Sequence, residues 1–285
     1  MDDCENGKEL LMKTIRILFL VFLLFPFRAA SYPAMEPSLF LCIQNSPLFL
    51  KSLSHPWITA HRGASTSAPE NTLPALQAAI DAQADFVEID VRETADGIPV
   101  LCHDSLLKRT SGESGSLQDY TYAELSVFDF GGWFSDSYKN VPIPTLEQAL
   151  ETCKGHIRMN IELKSGETLT ETVLELLELH DMENQVVLSS TKLPYLKEAK
   201  EKKPEIPAGY IASSPCPWLL EEEIIDFFSV SSAWVTEDFV TQAHRLGKEV
   251  HIWTVDTSEA LLAADALGVD NVITDCPKLA KTLLR

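Results

Sequence analysis

The chain has 285 residues, of which 45% are hydrophobic, and this composition excludes a protein that is disordered along its whole length. Its 42 acidic and 23 basic residues give a formal net charge of −19, which argues against nucleic acid or an anionic membrane as a partner held by general charge attraction. A phosphate ligand would need local cations, and a divalent metal ion is the obvious candidate in so acidic a chain.

The amino-terminal residues differ in kind from the rest. Residues 12–31, MKTIRILFLVFLLFPFRAAS, have a basic start at Lys13 and Arg16 and an end in small residues. Between them lies an apolar run of about a dozen residues, the length of a signal-peptide core. The pattern predicts that residues 1–31 are an export signal, or an uncleaved membrane anchor, since a second apolar patch follows at 39–50. A periplasmic, extracellular or membrane-anchored protein is therefore favoured over a cytoplasmic one.

A boundary is expected before residue 57. Residues 32–56 contain four prolines and little periodicity, which predicts a linker. From residue 57 to residue 285, apolar or alternating segments of strand length recur with helical patterns between them. The predicted strands are 57–61, 85–91, 98–103, 156–163, 185–190, 207–212, 226–231, 248–254 and 269–274. The predicted helices are 72–83, 145–153, 168–180, 192–202, 236–246, 256–267 and 277–284.

This alternation predicts an α/β protein with a parallel sheet, and the number of strands favours a closed TIM (β/α)8 barrel over an open sheet. Nine predicted strands are one too many for such a barrel. Asp96-Gly97 is a tight-turn signal between the second and third strands. We therefore predict that 98–103 is the return arm of an accessory hairpin after the second strand.

The active face of an α/β barrel lies at the carboxyl ends of its strands, so polar residues at those ends are candidates for function. Glu88 and Asp90 are two residues apart in the second strand, as are Glu162 and Lys164 at the close of MNIELK, where the fourth predicted strand ends, and each pair should share a face. The three carboxylates would then form a site for Mg²⁺ or Ca²⁺ rather than zinc. The alternative is that they are ordinary strand-end charges paired with Arg62, Arg92 and Lys164.

Two histidines and two cations accompany these carboxylates. His61 and His103 lie at strand ends, and a histidine that titrates near neutral pH can take a proton from a nucleophile or give one to a leaving group. Arg62 can bind a phosphate through two parallel hydrogen bonds, while Lys164 acts as a movable point charge. With a metal ion they describe a site for phosphoryl chemistry, and no nucleotide-binding loop is present in the sequence.

Several segments of the sequence together resemble the glycerophosphodiester phosphodiesterase family. They are, in chain order, AHRGASTSAPENTLPAL, FVEIDVRETADGIPVLCHD, RTSGESG, IPTLEQAL, MNIELK, IWTVD and VITDCP. The resemblance covers residues 57–285, and its His-Arg-Gly, Pro-Glu-Asn-Thr, Glu-x-Asp and Asp-Gly-x-x-Val-x-x-His-Asp elements are specific as a set.

The resemblance implies a metal-dependent TIM barrel that hydrolyses glycerophosphodiesters to glycerol 3-phosphate and an alcohol. By the same resemblance, the metal ligands are Glu88, Asp90 and Glu162, and the general acid/base pair is His61 and His103. Arg62 and Lys164 match phosphate contacts. Glu70 and Asn71 match a supporting Glu-Asn pair, and Trp253 matches an aromatic residue at the barrel mouth. A tryptophan buried in the core is the alternative for Trp253. Asp256 stands where relatives often have Asn, which concerns a peripheral polar contact.

Several alternatives stay open from the sequence. The attacking oxygen is either water or the substrate's own glycerol hydroxyl by way of a cyclic phosphate, and either histidine could be the acid. A related barrel phosphodiesterase acting on lysophospholipids or phosphoinositides is the second enzyme hypothesis, for which a larger apolar mouth is expected. A barrel without activity that binds glycerophosphodiesters or a partner at the cell surface is the hypothesis from another class. The small-molecule substrate is the one partner implied, besides membrane attachment through the leader.

Overall fold

The computed structural model describes residues 55–285. The leader predicted for 1–31, and all but the last two residues of the linker predicted for 32–56, lie outside the described residues. Within 55–285 no helix combines the length and the apolar character needed to cross a membrane.

Nine strands form one sheet, and eight of them close into a barrel. They are β1 (Trp57–Ala60), β2 (Phe86–Glu93), β3 (Pro99–Leu101), β4 (Arg158–Ser165), β5 (Val186–Ser190), β6 (Ala208–Ala212), β7 (Phe227–Ser231), β8 (Glu249–Trp253) and β9 (Asn271–Thr274). All strands except β3 pair in parallel in chain order, and β1 closes the ring by pairing with both β2 and β9. The predicted TIM (β/α)8 barrel is confirmed.

The ninth strand is the predicted accessory arm. β3 pairs antiparallel with the end of β2, with Val91 opposite Leu101. The turn between them places Gly97 at a φ of +80°, a conformation that glycine adopts without a steric penalty. The hairpin carries the chain from β2 to His103, and it therefore brings the HD dipeptide back beside the end of β2.

The nine α-helices of the described residues fall into two groups. Seven correspond to the predicted helices, namely α1 (Leu73–Asp81), α4 (Leu146–Cys153), α5 (Leu169–Leu179), α6 (Leu193–Lys202), α7 (Glu237–Arg245), α8 (Ser258–Leu267) and α9 (Pro277–Leu284). Two short helices that the pattern did not predict, α2 (Lys108–Ser111) and α3 (Tyr122–Leu125), lie in the segment between β3 and α4. Each is a single turn, too short to produce a recognisable periodicity.

The core lies between the barrel and its helices, and this arrangement directs the polar side chains inward. On β2, Val87 and Ile89 belong to a buried apolar cluster with Leu76 of α1 and Leu150 of α4. Because successive side chains of a strand point to opposite faces, the alternate residues of β2 point into the barrel. Packing of one face against helices thus fixes where the acidic residues of the other face must lie.

Candidate active site

The carboxyl ends of the barrel strands surround a cavity of about 270 Å³. The residues that β1 to β4 and their following loops contribute are mostly ionisable, namely His61, Arg62, Glu88, Asp90, His103, Asn160, Glu162 and Lys164. The later strands and loops contribute uncharged side chains, namely Ser189, Thr191, Ile211, Ser213, Ser229, Trp253, Thr254 and Ile273. Eight of the ten predicted site residues line this cavity, and the other two, Glu70 and Asn71, contact residues that do.

Three carboxylates meet at the base of the ionisable side. Glu88 and Asp90 lie on β2, and the register of the sheet sets Asp90 directly opposite Glu162 on β4. One oxygen of each carboxylate lies within 4.8 Å of the others, and all three residues are buried. The period of two in both strands therefore does bring these side chains to one face, as the sequence predicted.

The three carboxylates of this cluster differ in the direction of their pKa shifts. Burial alone would raise the pKa of Asp90, but the charges of Lys164 and Arg62 hold it well below its usual range. Burial, together with the charge of Asp90, raises the pKa of both Glu88 and Glu162 above the ordinary value. Lys164 Nζ lies 3.0 Å from Asp90 Oδ1 and 2.6 Å from Glu162 Oε1, so one lysine faces two carboxylates.

This donor set fits a divalent cation. Clustered carboxylate oxygens are what Mg²⁺ and Ca²⁺ prefer, and the cluster includes neither the thiolates nor the imidazoles that are typical of zinc sites. Two buried glutamates with raised pKa values indicate a place where more positive charge than Arg62 and Lys164 provide would be favourable. The residues present are therefore able to hold such an ion.

Arg62 is held by a tight turn that follows β1. Its φ is 55°, and the next residue, Gly63, has a φ of 86° with no room for a side chain, because an added Cβ would lie 2.6 Å from Ala75 of α1. In this conformation the Arg62 backbone N–H donates to Glu88 Oε2 at 2.8 Å. The guanidinium reaches towards Asp90, with Nε 3.4 Å from Oδ2.

His61 is oriented by a residue near the carboxyl-terminal end of the barrel domain, Asp275. Its Nδ1 lies 2.7 Å from Oδ1 of Asp275, which follows β9. Because the carboxylate is the acceptor, Nδ1 carries the proton and Nε2 is left for chemistry. Burial alone would lower the pKa of His61, but Asp275 and the charge of Glu88 raise it above the ordinary value. Asp256 in turn accepts from the Asp275 backbone N–H at 2.8 Å and from Thr274 Oγ1 at 3.0 Å.

His103 is oriented by its own neighbour. Its Nδ1 lies 2.7 Å from Asp104 Oδ1, so here too a carboxylate leaves Nε2 available. Its carbonyl oxygen accepts from Nε and a terminal nitrogen of Arg92, at 3.0 and 2.6 Å. The pKa of His103 is lowered, since burial outweighs the attraction of Asp90 and Asp104 for its protonated form.

Glu70 and Asn71 support the cavity from the loop between β1 and α1. Asn71 donates to Asp90 Oδ2 at 2.7 Å and accepts from the Asp90 backbone N–H at 3.0 Å, so it fixes this carboxylate from both sides. Glu70 Oε1 accepts from a terminal nitrogen of Arg62 at 2.8 Å. Neither side chain lies among the three clustered carboxylates.

Trp253 lies at the end of β8 and lines the cavity rather than filling the core. Its Nε1 is buried and has no hydrogen-bond partner within residues 55–285. A buried donor without a partner is costly, so this indole is suited to an acceptor on a ligand.

Three residues with evident roles in this geometry were not predicted as site residues. In the sequence, Asp275 belongs to the VITDCP segment and Asp256 is expected to make only a peripheral contact. Arg109, which in the structure donates to Asp104 Oδ2 and to both carboxylate oxygens of Glu70, belongs to the RTSGESG segment. Their signal is weak in the sequence because each acts on a residue that is distant along the chain; His61 and Asp275 are 214 positions apart.

Comparison with known proteins agrees with this geometry. The model of the "Glycerophosphoryl diester phosphodiesterase family" matches residues 61–279. Two glycerophosphodiester phosphodiesterases are similar in sequence. That of Caldanaerobacter subterraneus subsp. tengcongensis is 30% identical over 80% of this chain and 97% of its own length, and that of Bacillus altitudinis is 32% identical over 78% and 96%.

A solved structure is similar as well. A phosphodiesterase from Oleispira antarctica, in complex with the product sn-glycerol-3-phosphate, is 32% identical and superposes with a TM-score of 0.77 over 80% of this chain and 96% of its own. The match in sequence covers the turn after β1, the β2 carboxylates and the end of β9 alike. The chain therefore belongs to the glycerophosphoryl diester phosphodiesterase family.

Proposed function

We propose that the chain is a metal-dependent phosphodiesterase that hydrolyses glycerophosphodiesters, such as glycerophosphocholine or glycerophosphoethanolamine, to sn-glycerol 3-phosphate and an alcohol. The observation that carries the proposal is a single cavity that unites three clustered carboxylates with two histidines, each held by its own aspartate. Family membership and the names of the relatives support the same activity.

The phosphate of the substrate would bind between the cations of the ionisable side. Arg62 can donate in a planar fork to two phosphate oxygens, while Lys164, already positioned by Asp90 and Glu162, adds a point charge. Mg²⁺ or Ca²⁺, when held by Glu88, Asp90 and Glu162, supplies stabilisation of the negative charge that develops on the phosphate oxygens.

The two histidines would move the protons. Because Nδ1 of each histidine donates to a carboxylate, Nε2 is the atom that exchanges a proton with substrate. One Nε2 accepts the proton of the attacking oxygen, and the other protonates the oxygen of the departing alcohol. Asp275 and Asp104 stabilise the imidazolium that forms at each stage.

The uncharged lining of the cavity suits the polyol part of the substrate. Serine and threonine hydroxyls and the unpartnered Trp253 Nε1 offer hydrogen bonds to glycerol oxygens. Only three of the described lining side chains, Ile211, Ile273 and Trp253, are apolar, and the others are polar or ionisable. These features favour a water-soluble glycerophosphodiester.

A hydrolysis assay tests this proposal. The purified protein is given glycerophosphocholine or lysophosphatidylcholine with Mg²⁺ or Ca²⁺, and His61→Ala and His103→Ala are compared with the wild type. We expect turnover of glycerophosphocholine, weak or no turnover of the lysophospholipid, and a loss of about 10²- to 10⁴-fold in kcat in each variant. No turnover of either substrate with either metal contradicts the proposed function, and full rates in both variants contradict the acid/base assignment alone.

We also propose that residues 1–31 export the protein or anchor it to a membrane, on the strength of the basic start, the apolar run and the small-residue end of this segment. Mass spectrometry of the mature protein, after fractionation of the cells that produce it, tests this. A terminus created near Ser31, or an intact chain in the membrane fraction, is expected. An intact chain in the soluble cytoplasmic fraction contradicts the proposal.

A further inference from the structure

Arg109 lies in the one-turn helix α2, outside the cavity lining. Three of its nitrogens donate hydrogen bonds to two carboxylates. Its Nε donates to Asp104 Oδ2 at 2.6 Å, and its two terminal nitrogens donate to Glu70 Oε2 and Oε1 at 2.7 and 2.8 Å. The fork of a guanidinium fixes the relative orientation of both acceptors, which a single ammonium group cannot do.

The other oxygen contacts of these carboxylates lead directly to the proposed machinery. Asp104 Oδ1 lies 2.7 Å from Nδ1 of His103. Glu70 Oε1 also accepts from Arg62, at 2.8 Å. Hydrogen bonds therefore run without a break from His103 through Asp104, Arg109 and Glu70 to Arg62, and Arg109 is the middle member.

Stability alone does not account well for this arrangement. The Arg109 side chain is 43% exposed, and exposed ion pairs contribute little to the free energy of folding. Glu70, in contrast, is only 11% exposed and is shared by two arginines. Without Arg109, Glu70 would have Arg62 as its remaining guanidinium partner among the contacts described, and Asp104 would keep His103 but lose the group that fixes its second oxygen.

We propose that Arg109 is a positioning residue that holds the acid/base group of His103 and the phosphate-binding group of Arg62 in register with each other. This inference rests on the proposed function of those two residues. Through Asp104, Arg109 keeps the proton of His103 on Nδ1. Arg109 also shares the Glu70 carboxylate with Arg62 and so weakens the attraction of Glu70 for the Arg62 guanidinium, which must also face Asp90.

Arg109 has two connections, one through Asp104 to His103 and one through Glu70 to Arg62, here called its two arms. Cutting each of them should have a different kinetic effect. Asp104→Asn cuts the arm to His103, so kcat should fall while KM changes little. Glu70→Gln cuts the arm to Arg62, so KM should rise more than kcat falls. Arg109→Gln affects both arms, and we expect kcat to fall about 10- to 100-fold and KM to rise several-fold. In an Asp104→Asn background, Arg109→Gln should have little further effect on kcat, because it acts through that residue.

Two further variants separate position from charge. Arg109→Lys keeps the charge but not the fork, and we expect it to remain impaired. Lys108→Gln removes a cation from the same helix, where Lys108 donates only to the Gly112 carbonyl oxygen among its described contacts, and we expect wild-type kinetics. Wild-type kinetics in Arg109→Gln, or full recovery in Arg109→Lys, would overturn the proposal.

A readout that needs no turnover distinguishes this inference from the proposed function. The imidazole ¹⁵N shifts of His103, measured at a pH where the ring is neutral, should indicate a proton fixed on Nδ1 in the wild type and in Lys108→Gln. In Arg109→Gln we expect the shifts to move towards a mixture of tautomers. Unchanged shifts contradict the role of Arg109 even if the enzyme is active, whereas an inactive wild type with the expected shifts contradicts only the proposed function.

Discussion

At the residue scale, the two histidines of the cavity share one arrangement. Each Nδ1 meets an aspartate oxygen at 2.7 Å, although one aspartate is adjacent in sequence and the other comes from the far end of the domain. The carboxylate selects the tautomer and keeps Nε2 available. Two such pairs lie beside one group of carboxylates in this cavity. The other histidine–carboxylate contacts of the described residues, such as that of His55 with Asp265, lie elsewhere.

The Asp275–His61 pair gives a direct prediction. Asp275→Asn removes the acceptor charge that keeps the His61 proton on Nδ1 and stabilises its imidazolium, so kcat should fall about 10- to 100-fold with little change in KM. Steady-state assays with glycerophosphocholine measure both constants. Asp265→Asn is the matched control, since it disrupts the exposed His55 pair, and its kcat should equal that of the wild type. Equal losses in the two variants would contradict the role of Asp275.

The Asp104 carboxylate gives a prediction about pH. Hydrogen bonds from Arg109 and His103 outweigh burial and lower the pKa of Asp104 from 3.8 to about 2. A lowered carboxyl pKa contributes stability that is fully present above the unfolded value and is lost as the pH falls through the folded value. The difference in the free energy of unfolding between wild type and Asp104→Asn, on the order of 1 kcal/mol, should therefore shrink by roughly half from pH 5 to pH 3. Urea unfolding at both pH values measures it, and a constant difference contradicts the assignment.

At the element scale, the turn after β1 depends both on its local sequence and on how α1 packs against the barrel. Gly63 allows the chain to pass against α1, and that path aims the Arg62 N–H at Glu88. The short HRG segment was recognisable in the sequence, but its φ values and its contact with Ala75 were not, because they depend on how α1 packs on the barrel.

A pair of glycine substitutions tests this turn. Gly63 and Gly268 have φ values of +86° and +74°, yet an added Cβ would lie 2.6 Å from Ala75 at Gly63 and would meet nothing within 4 Å at Gly268. Gly268→Ala should cost about 1 kcal/mol of unfolding free energy through its backbone alone. Gly63→Ala should cost that and about 1–3 kcal/mol more because of the clash. Equal costs in denaturant unfolding would contradict the close packing of the turn on α1.

The elements that the sequence predicted well are those whose signal is local. The Asp96-Gly97 turn identified β3 as an accessory arm. The predicted helices 145–153 and 256–267 correspond to α4 and α8, where the side chains of Thr145 and Thr257 accept backbone N–H groups of the first turn. The helices α2 and α3 escaped prediction because one turn has no period. Yet α2 carries Arg109, so the least predictable element of the domain holds a residue that joins two parts of the site.

At the scale of the whole molecule, the strand count and the alternation with helices were enough to predict the barrel. The rule that function gathers at the carboxyl ends of its strands was enough to predict eight of the sixteen residues that line the cavity. Glu88, Asp90, Glu162 and Lys164 could be placed together because a strand's period of two orients them once the barrel is predicted. Asp275 could not, since its partner His61 is reached only when the barrel closes between β9 and β1.

The net charge of −19 also takes on a clearer meaning at this scale. Arg62 and Lys164 both face Asp90, while burial and the charge of Asp90 raise the pKa values of Glu88 and Glu162 inside the barrel. A cation bound among them would complete the local charge balance that phosphate binding requires. The net negative charge of the whole molecule does not attract the phosphate of the substrate, so this local charge balance must do so.

The release of glycerol 3-phosphate from glycerophosphocholine, measured in the presence of EDTA and again after Mg²⁺ or Ca²⁺ is returned in excess, tests the central claim most directly. We predict that release stops with EDTA, resumes with the metal in the wild type, and does not resume in Glu162→Gln, which lacks one of the three clustered carboxylates. Undiminished release in EDTA, or full recovery in Glu162→Gln, would contradict a metal-dependent reaction at Glu88, Asp90 and Glu162.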